Sequence, residues 1–173
     1  MKTAVIYKSK TGFVKKYAEW IAKELSADIF EVSKVSINIL ITYDNVIYGG
    51  SLHAVGINGI KLITKNLDKL KDKKVVVFAT GASPFREEAI NEVRNKNFTF
   101  EQQKNIKFFY LRGGFDYSKL GPFDKMLMTL LKWKLKSKKE LTPDERGMVF
   151  AYDKPVDFTK KRNIDEIISY VTS

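Results

Sequence analysis

A short segment near the start of the chain carries residues whose types and spacing suit a phosphate group. It comprises Ser9, Lys10, Thr11, Gly12, Phe13 and Val14. If a helix begins here, its first backbone N–H groups point outward unpaired and carry partial positive charge, which favours an anion. Two hydroxyls and one ammonium add donors and charge, and the glycine permits close backbone approach. The segment predicts a phosphate site; a plain helix cap by Ser9 or Thr11 is the alternative.

Three further segments end apolar runs with small or polar residues. The second contains Ser51, Leu52, His53 and Ala54 within residues 50–56, the third contains Thr80, Gly81 and Ala82, and the fourth is the pair Gly113 and Gly114. The Walker spacing GxxxxGK(S/T) and the dinucleotide spacing GxGxxG are both absent, so neither kind of nucleotide loop is predicted. We predict no catalytic side chain and no metal site.

The elements that must position these segments follow from the hydrophobic pattern. Short apolar runs predict strands at residues 3–7, 27–32, 45–48, 74–79 and 107–111. Helical periodicity predicts helices at residues 13–25, 59–70, 85–94, about 119–139 and 163–170, with Ser83 as the cap and Pro84 in the first turn of the third. Residues 33–44 are compatible with a short helix or an extended connection.

This alternation of strands and helices predicts an α/β fold in one domain over residues 1–173, with a five-stranded parallel sheet and helices on both faces. In such sheets, ligands bind at the carboxyl ends of the strands, where the strand order reverses. The first, third, fourth and fifth predicted strands end in the four segments. We therefore expect the segments to lie together at one edge of the sheet.

Composition narrows the classes of protein. No cysteine is present, which removes disulfides, thiolate nucleophiles, iron–sulfur clusters and cysteine zinc sites and favours a cytoplasmic protein. The first residues run straight into a strand pattern, and no run of about 18 apolar residues occurs, so neither a signal peptide nor a membrane span is predicted. The net charge of +11 predicts an anionic partner. Nucleic acid is the weaker choice because the basic residues are dispersed without a recognised binding motif.

In their order along the chain, the segments resemble the cofactor loops of flavodoxins. The first resembles the flavodoxin phosphate loop S/T-x-T-G-x-S/T, with Val14 in place of the final hydroxyl residue. Residues 50–56 resemble the loop on one face of the isoalloxazine ring, and residues 79–82 resemble the loop at its edge and pyrimidine side. The resemblance runs through essentially the whole chain. It implies a flavodoxin-like fold with strand order 2-1-3-4-5, and FMN as the cofactor.

Within that superfamily, the chain most resembles the branch that includes quinone-dependent protoporphyrinogen IX dehydrogenases. The likeness lies in residues 15–21 and in residues 108–134. It implies an FMN-dependent oxidoreductase that transfers electrons from an organic substrate, such as protoporphyrinogen IX, to a quinone, a redox partner protein or another acceptor.

Two alternatives stay open, because fold and cofactor do not fix a substrate. One is a non-enzymatic electron carrier, although carrier flavodoxins are typically acidic and place an aromatic ring on each side of the flavin. The other is a cofactor-free scaffold or nucleic-acid-binding module. His53, the only histidine, is either a surface residue or a group that stacks on or hydrogen-bonds to the flavin or substrate. Trp20 and Trp133 are predicted to pack in the core.

Residues 119–139 contain seven lysines and the single acid Asp124. On a helical wheel, four lysines form one stripe beside a wide apolar arc: Lys125, Lys132, Lys136 and Lys139. The plain interpretation is a surface helix packed on the core with a solvated basic face. The functional interpretations are peripheral contact with an anionic membrane, or a lid and dock for an anionic substrate or partner.

Overall fold

A computed structural model describes all residues 1–173 around a central parallel sheet. The strands are β1 (Thr3–Lys8), β2 (Asp28–Glu31), β3 (Asn45–His53), β4 (Gly56–Ile57), β5 (Lys74–Gly81), β6 (Ile106–Arg112), β7 (Gly114–Phe115) and β8 (Val156–Asp157). Five of them pair in parallel in the order β2-β1-β3-β5-β6, which confirms the predicted sheet and strand order. β4 pairs antiparallel with the end of β3, and β7 pairs antiparallel with β8.

Helices cover both faces of the sheet, as predicted. They are α1 (Phe13–Leu25), α2 (Ile37–Leu40), α3 (Lys61–Thr64), α4 (Glu87–Asn97), α5 (Phe100–Asn105), α6 (Pro122–Lys136), α7 (Pro143–Asp153) and α8 (Asp165–Thr172). Alternate strand residues enter opposite cores: Ala4 and Ile6 pack on the face covered by α2, α3 and α4, whereas Val5 packs on the face covered by α1 and α8. Because both faces are covered, the central strands are continuous apolar runs.

Two local predictions are wrong. Residues 59–70 form the short helix α3 and a separate 3₁₀ turn. The helix stops because Asn66 leaves the helical conformation, and the side-chain amide of Asn66 donates to the Leu62 carbonyl. Ser83 does not cap α4 and Pro84 does not lie in its first turn, because the helix begins at Glu87 after the extended residue Arg86. Two glutamates in the first turn favour that later start. Residues 33–44, which the sequence left open, contain α2 and the end of a 3₁₀ turn.

The last third of the chain contains elements that the sequence analysis did not predict. The predicted helix over residues 119–139 is shorter at both ends, because α6 begins with Pro122 in its first turn and ends at Lys136. α7 follows it, and Thr142 and Glu145 form a capping box at its start. The β7–β8 pair then joins this region to the end of β6.

Much of the apolar arc of α6 is exposed, and two expectations for this region are wrong. Trp133 is 66% exposed, so it is not a core residue, whereas Trp20 is half-buried against the core formed with α1. The four lysines also do not form one free stripe. Lys132 turns towards α7, with its Nζ 3.1 Å from an Asp153 carboxylate oxygen, and Lys139 lies beyond the end of the helix.

Candidate functional site

The first segment leads from β1 into α1 and leaves the start of that helix uncapped. Gly12 adopts a left-handed conformation, with φ of 96°, and its N–H donates to the Ser9 hydroxyl across 3.1 Å. The N–H groups of Phe13, Val14 and Lys15 have no acceptor within the chain. The cap interpretation is therefore wrong. Three outward amides at the positive end of a 13-residue helix form a cradle that fits a phosphate.

The remaining groups of this segment have different surroundings. Thr11 is half-buried, and its hydroxyl does not cap the helix, so the hydroxyl is available to an anion at the cradle. The side chain of Val14 is buried in the core. Its contribution to an anion site is restricted to its backbone N–H, which explains why an apolar residue is compatible with this position.

The second segment is a β-hairpin rather than an open loop. Ser51 and Leu52 continue β3 as far as His53, which pairs with Gly56 of β4. Ala54 occupies the turn with φ of 51°, in the left-handed region that residues with a Cβ seldom adopt. Such local strain persists only where surrounding contacts hold it.

Asn97 supplies those contacts from the end of α4. Its side-chain oxygen accepts from the Ile57 N–H at 2.8 Å, and its side-chain nitrogen donates to the Val55 carbonyl at 2.7 Å. The side-chain amide therefore bonds the turn at Val55 and the returning strand β4 at Ile57, and it fixes the hairpin against α4. The sequence analysis did not identify this residue, because no short motif marks it.

Two side chains of β6 hold the third segment in place. The Tyr110 hydroxyl donates to the Ser83 carbonyl at 2.7 Å, and the Arg112 Nε donates to the Ala82 carbonyl at 3.2 Å. Burial raises the pKa of Tyr110 to about 12, so the phenol remains a protonated donor over the physiological range. Phe85, in the same loop, is 72% exposed, and it is an aromatic ring at the site that the sequence analysis overlooked.

The fourth segment packs beneath the third. Gly113 donates its N–H to the Gly81 carbonyl at 2.8 Å. A Cβ added at Gly113 would lie 3.3 Å from the Cβ of Thr80 and 3.4 Å from that of Phe13, and one added at Gly114 would lie 2.6 Å from the Phe13 ring. The two glycines therefore allow close packing of the segments. Their direct contact with a cofactor stays a prediction.

Asp124, in the first turn of α6, joins the first segment to the second. Its carboxylate oxygens lie 2.8 Å from the Lys10 Nζ and 3.8 Å from the His53 Nδ1. The hydrogen bond from Lys10 holds the pKa of Asp124 below its usual value. We call these three side chains the Asp124 bridge. The bridge places the start of α6 over the space between the two segments.

Strand pairing brings all four segments to one edge of the sheet. Residues that pair at the carboxyl ends are Lys8 with Gly50, Ser51 with Thr80, and Gly81 with Arg112. Because neighbouring strands lie about 4.8 Å apart, the first three segments span roughly 10 Å. The edge therefore combines an anion cradle, a strained hairpin and a loop fixed by β6.

A mainly apolar cavity of about 300 Å³ opens beside the third segment, between it and α7. Ala82 lines it from the segment, and the guanidinium of Arg112 lies on its wall, 3.6 Å from the centre of the Phe158 ring. The two acidic residues that line it are each in an ion pair: Asp144 with Arg86, and Glu145 with Lys138. The cavity thus provides apolar walls and the positive charge of Arg112 next to the carboxyl edge of the sheet.

Other features of the molecule lie apart from this edge. A more open groove of about 520 Å³ lies beside α8 and includes Glu24 and Lys161, which pair with each other. No group of three or more histidine, cysteine, aspartate or glutamate side chains is placed to hold a metal ion.

Comparison with known proteins places these observations in a wider context. Residues 4–142 match the family model described as flavodoxin domain. An uncharacterized protein of Methanocaldococcus jannaschii is 36% identical over 100 residues, which cover 56% of this chain, and the chain spans 65% of that protein's length.

Solved structures with similar folds are more distant in sequence. A WrbA-like flavodoxin from Agrobacterium tumefaciens is 19% identical, with 61% of this chain and 74% of that chain covered and a TM-score of 0.48. A flavodoxin from the domain Archaea is 14% identical, with both chains fully covered and a TM-score of 0.47. A flavoprotein in complex with FMN from Lactobacillus acidophilus is 18% identical, with 64% and 91% covered and a TM-score of 0.41.

Proposed function

The chain belongs to the flavodoxin domain family, and on that premise we propose that it binds FMN at the carboxyl edge of its sheet and acts as an FMN-dependent oxidoreductase. The uncapped start of α1 is the observation that carries this proposal. The free N–H groups of Phe13, Val14 and Lys15 would bind the phosphate, with the Thr11 hydroxyl as a further donor. Gly12 lets the chain turn without covering these amides.

The second and third segments would orient the isoalloxazine ring, because they follow the adjoining strands β3 and β5 and lie beside the cradle. The hairpin held by Asn97 and the loop held by Tyr110 are both fixed from outside the site. Rigid support of this kind keeps a cofactor in one orientation. Leu52, His53 and Phe85 are the side chains there that would contact and shield it.

Bound FMN would supply the transfer of electrons or hydride, and the chain would supply binding, orientation and electrostatics. The apolar cavity beside the third segment supports an organic substrate rather than transfer between proteins alone. On the resemblance to protoporphyrinogen dehydrogenases, we propose a porphyrinogen as the electron donor and a quinone as the acceptor. The volume of about 300 Å³ would admit part of such a donor and leave the rest outside.

A titration that compares FMN with riboflavin tests the binding proposal. Riboflavin carries the same ring without the phosphate, so the cradle predicts FMN binding at least about tenfold tighter, the equivalent of one good charge-assisted contact. Quenching of flavin fluorescence gives both dissociation constants. Equal affinities, or no binding of either flavin, would contradict the proposal.

Anaerobic turnover tests the finer proposal separately. The FMN-loaded protein is mixed with protoporphyrinogen IX and a soluble quinone, and formation of the fluorescent porphyrin is compared with the same mixture without the protein, which gives the uncatalysed oxidation by the quinone. Turnover above that control supports a dehydrogenase. Tight FMN binding without turnover of this donor would overturn the proposed substrate and favour the electron-carrier interpretation.

A further inference from the structure

One side of α6 is apolar and uncovered. Five large side chains on it are between 40% and 66% exposed: Phe123, Met126, Leu127, Leu130 and Trp133. At 100° per residue, they fall within an arc of about 120°. The opposite side of the helix makes the internal contacts, where Leu135 is buried. Contiguous exposed apolar surface of this kind is uncommon on a monomer and marks an interaction surface.

The margin of this apolar face is positively charged. Lys134 falls inside the arc, beside Leu127, and Lys136 lies next to Trp133 at its edge; both lysines are exposed. Neither has an acidic partner in the chain, in contrast to Lys132, which pairs with α7. Lysine side chains at such positions extend their charged ends away from apolar surface while their methylene stems cover it.

We propose that this face of α6 lies in the surface layer of a bilayer that contains anionic phospholipid, with the helix axis parallel to the membrane. An apolar arc bordered by lysines is the pattern of interfacial helices, and the lysines complement anionic headgroups. None of the chain's helices has both the length and the apolar character of a membrane span. A second copy of the chain is a poorer match, because it would bring together two sets of lysines on chains of net charge +11.

The location of α6 gives this contact a consequence for the site. The first turn of the same helix carries Asp124, which contacts Lys10 of the first segment and His53 of the second. A bilayer-bound α6 therefore holds the carboxyl edge of the sheet close to the membrane surface, and the consequence that follows rests on the proposed binding of FMN at that edge. Apolar electron donors and acceptors dissolve there, so membrane contact would bring them to the site.

Co-sedimentation with vesicles tests the proposal and needs no bound FMN. Vesicles of phosphatidylcholine alone are compared with vesicles of equal parts phosphatidylcholine and phosphatidylglycerol, at low salt. We expect binding to the anionic vesicles only, with a blue shift of tryptophan emission. In Trp133→Phe, the remaining Trp20 on α1 should show no shift.

Variants then separate apolar insertion from simple charge attraction. Met126→Gln combined with Leu130→Gln should weaken vesicle binding by roughly tenfold, because two apolar side chains no longer enter the interface. The matched control, Ile39→Gln with Phe100→Gln, alters two exposed apolar residues on α2 and α5 and should bind as wild type does. Circular dichroism confirms that each variant is folded.

Three outcomes would overturn the proposal. Wild-type protein could stay in the supernatant with anionic vesicles at low salt, or the α6 variant could bind vesicles as tightly as wild type. The third is a concentration-dependent dimer in sedimentation velocity that the α6 substitutions abolish, which would assign the face to a second copy instead.

Discussion

Asp124→Asn tests whether α6 competes with the cofactor phosphate for Lys10. In the structure, the Lys10 ammonium is 2.8 Å from the Asp124 carboxylate, so a phosphate must draw it away from that partner. Asparagine keeps the size of the side chain and removes its charge. The two side chains are 45% and 16% exposed, and solvent screening at such exposure limits the ion pair to about 1 kcal/mol.

That magnitude sets two expected changes of opposite sign. The free energy of unfolding of the apoprotein should fall by about 1 kcal/mol, because the Asp124 bridge is lost. FMN should bind about fivefold tighter, because the same free energy is no longer needed to release Lys10. Urea unfolding measures the first change, and calorimetric titration with FMN measures the second.

Asp153→Asn is the matched control. This substitution also removes one negative charge and breaks an ion pair of α6, the pair between Asp153 and Lys132. Asp153 itself contacts neither the first segment nor the second. The substitution should lower stability slightly and leave FMN affinity unchanged. The reasoning is refuted if both variants bind FMN as wild type does, or if Asp124→Asn binds it more weakly.

Acid pH should act on the same bridge. Because the hydrogen bond from Lys10 lowers the pKa of Asp124 in the folded state, the bridge contributes stability above the ordinary aspartate pKa of about 4. That contribution is lost as the pH falls through the lowered value. The difference in stability between wild type and Asp124→Asn should therefore shrink below about pH 4. A difference that persists undiminished at lower pH would show that it does not arise from the carboxylate.

Four further substitutions have expected outcomes. Gly12→Ala should weaken FMN binding by about tenfold or more, because a φ of 96° strains any residue with a Cβ, even though no atom lies within 4 Å of the added Cβ. Lys10→Ala should weaken binding less in the same fluorescence titration. Equal losses of affinity in the two variants would mean that charge alone anchors the phosphate. Ala54→Gly should raise the free energy of urea unfolding by about 0.5–1 kcal/mol, because it relieves the left-handed turn; a decrease would argue against strain. Tyr110→Phe should lower the free energy of unfolding by about 1 kcal/mol through the lost bond to the Ser83 carbonyl; an unchanged free energy of unfolding would show that this bond does not stabilise the loop.

The parts of the fold that could be predicted from sequence are those set by continuous burial. Residues 74–79 and 45–48 are covered on both faces of the sheet, so their apolar runs identify them as central strands. α1 shows a clear apolar stripe because it packs along the sheet, and its residues 13–25 were predicted in full. The four segments at the strand ends follow from these boundaries and from the topology.

The parts that could not be predicted depend on contacts between distant residues. Asp124 and Lys10 are 114 positions apart, and no local pattern links an acid in a basic helix to the first segment. The hairpin is fixed by an asparagine 40 residues away from Ile57. α7 is different, because the capping box of Thr142 and Glu145 was present in the sequence and should have indicated its start.

The exposed face of α6 shows a limit of the helical wheel. A wheel finds a wide apolar arc, but it does not tell which part of the arc packs on the protein. In α6, Leu135 is buried whereas Trp133, two residues earlier, is exposed. The contacts of α6 with Tyr152 of α7 and with Tyr117 decide which side is internal.

The backbone amides at the start of α1 give the most direct test of the proposed cofactor site. In a nitrogen-15 NMR titration, the signals of Phe13, Val14 and Lys15 should move strongly downfield with FMN, because each N–H gains a phosphate oxygen as acceptor. Riboflavin should move them much less, while it still perturbs the second and third segments. Shifts with FMN that leave these three amides unchanged would contradict the account.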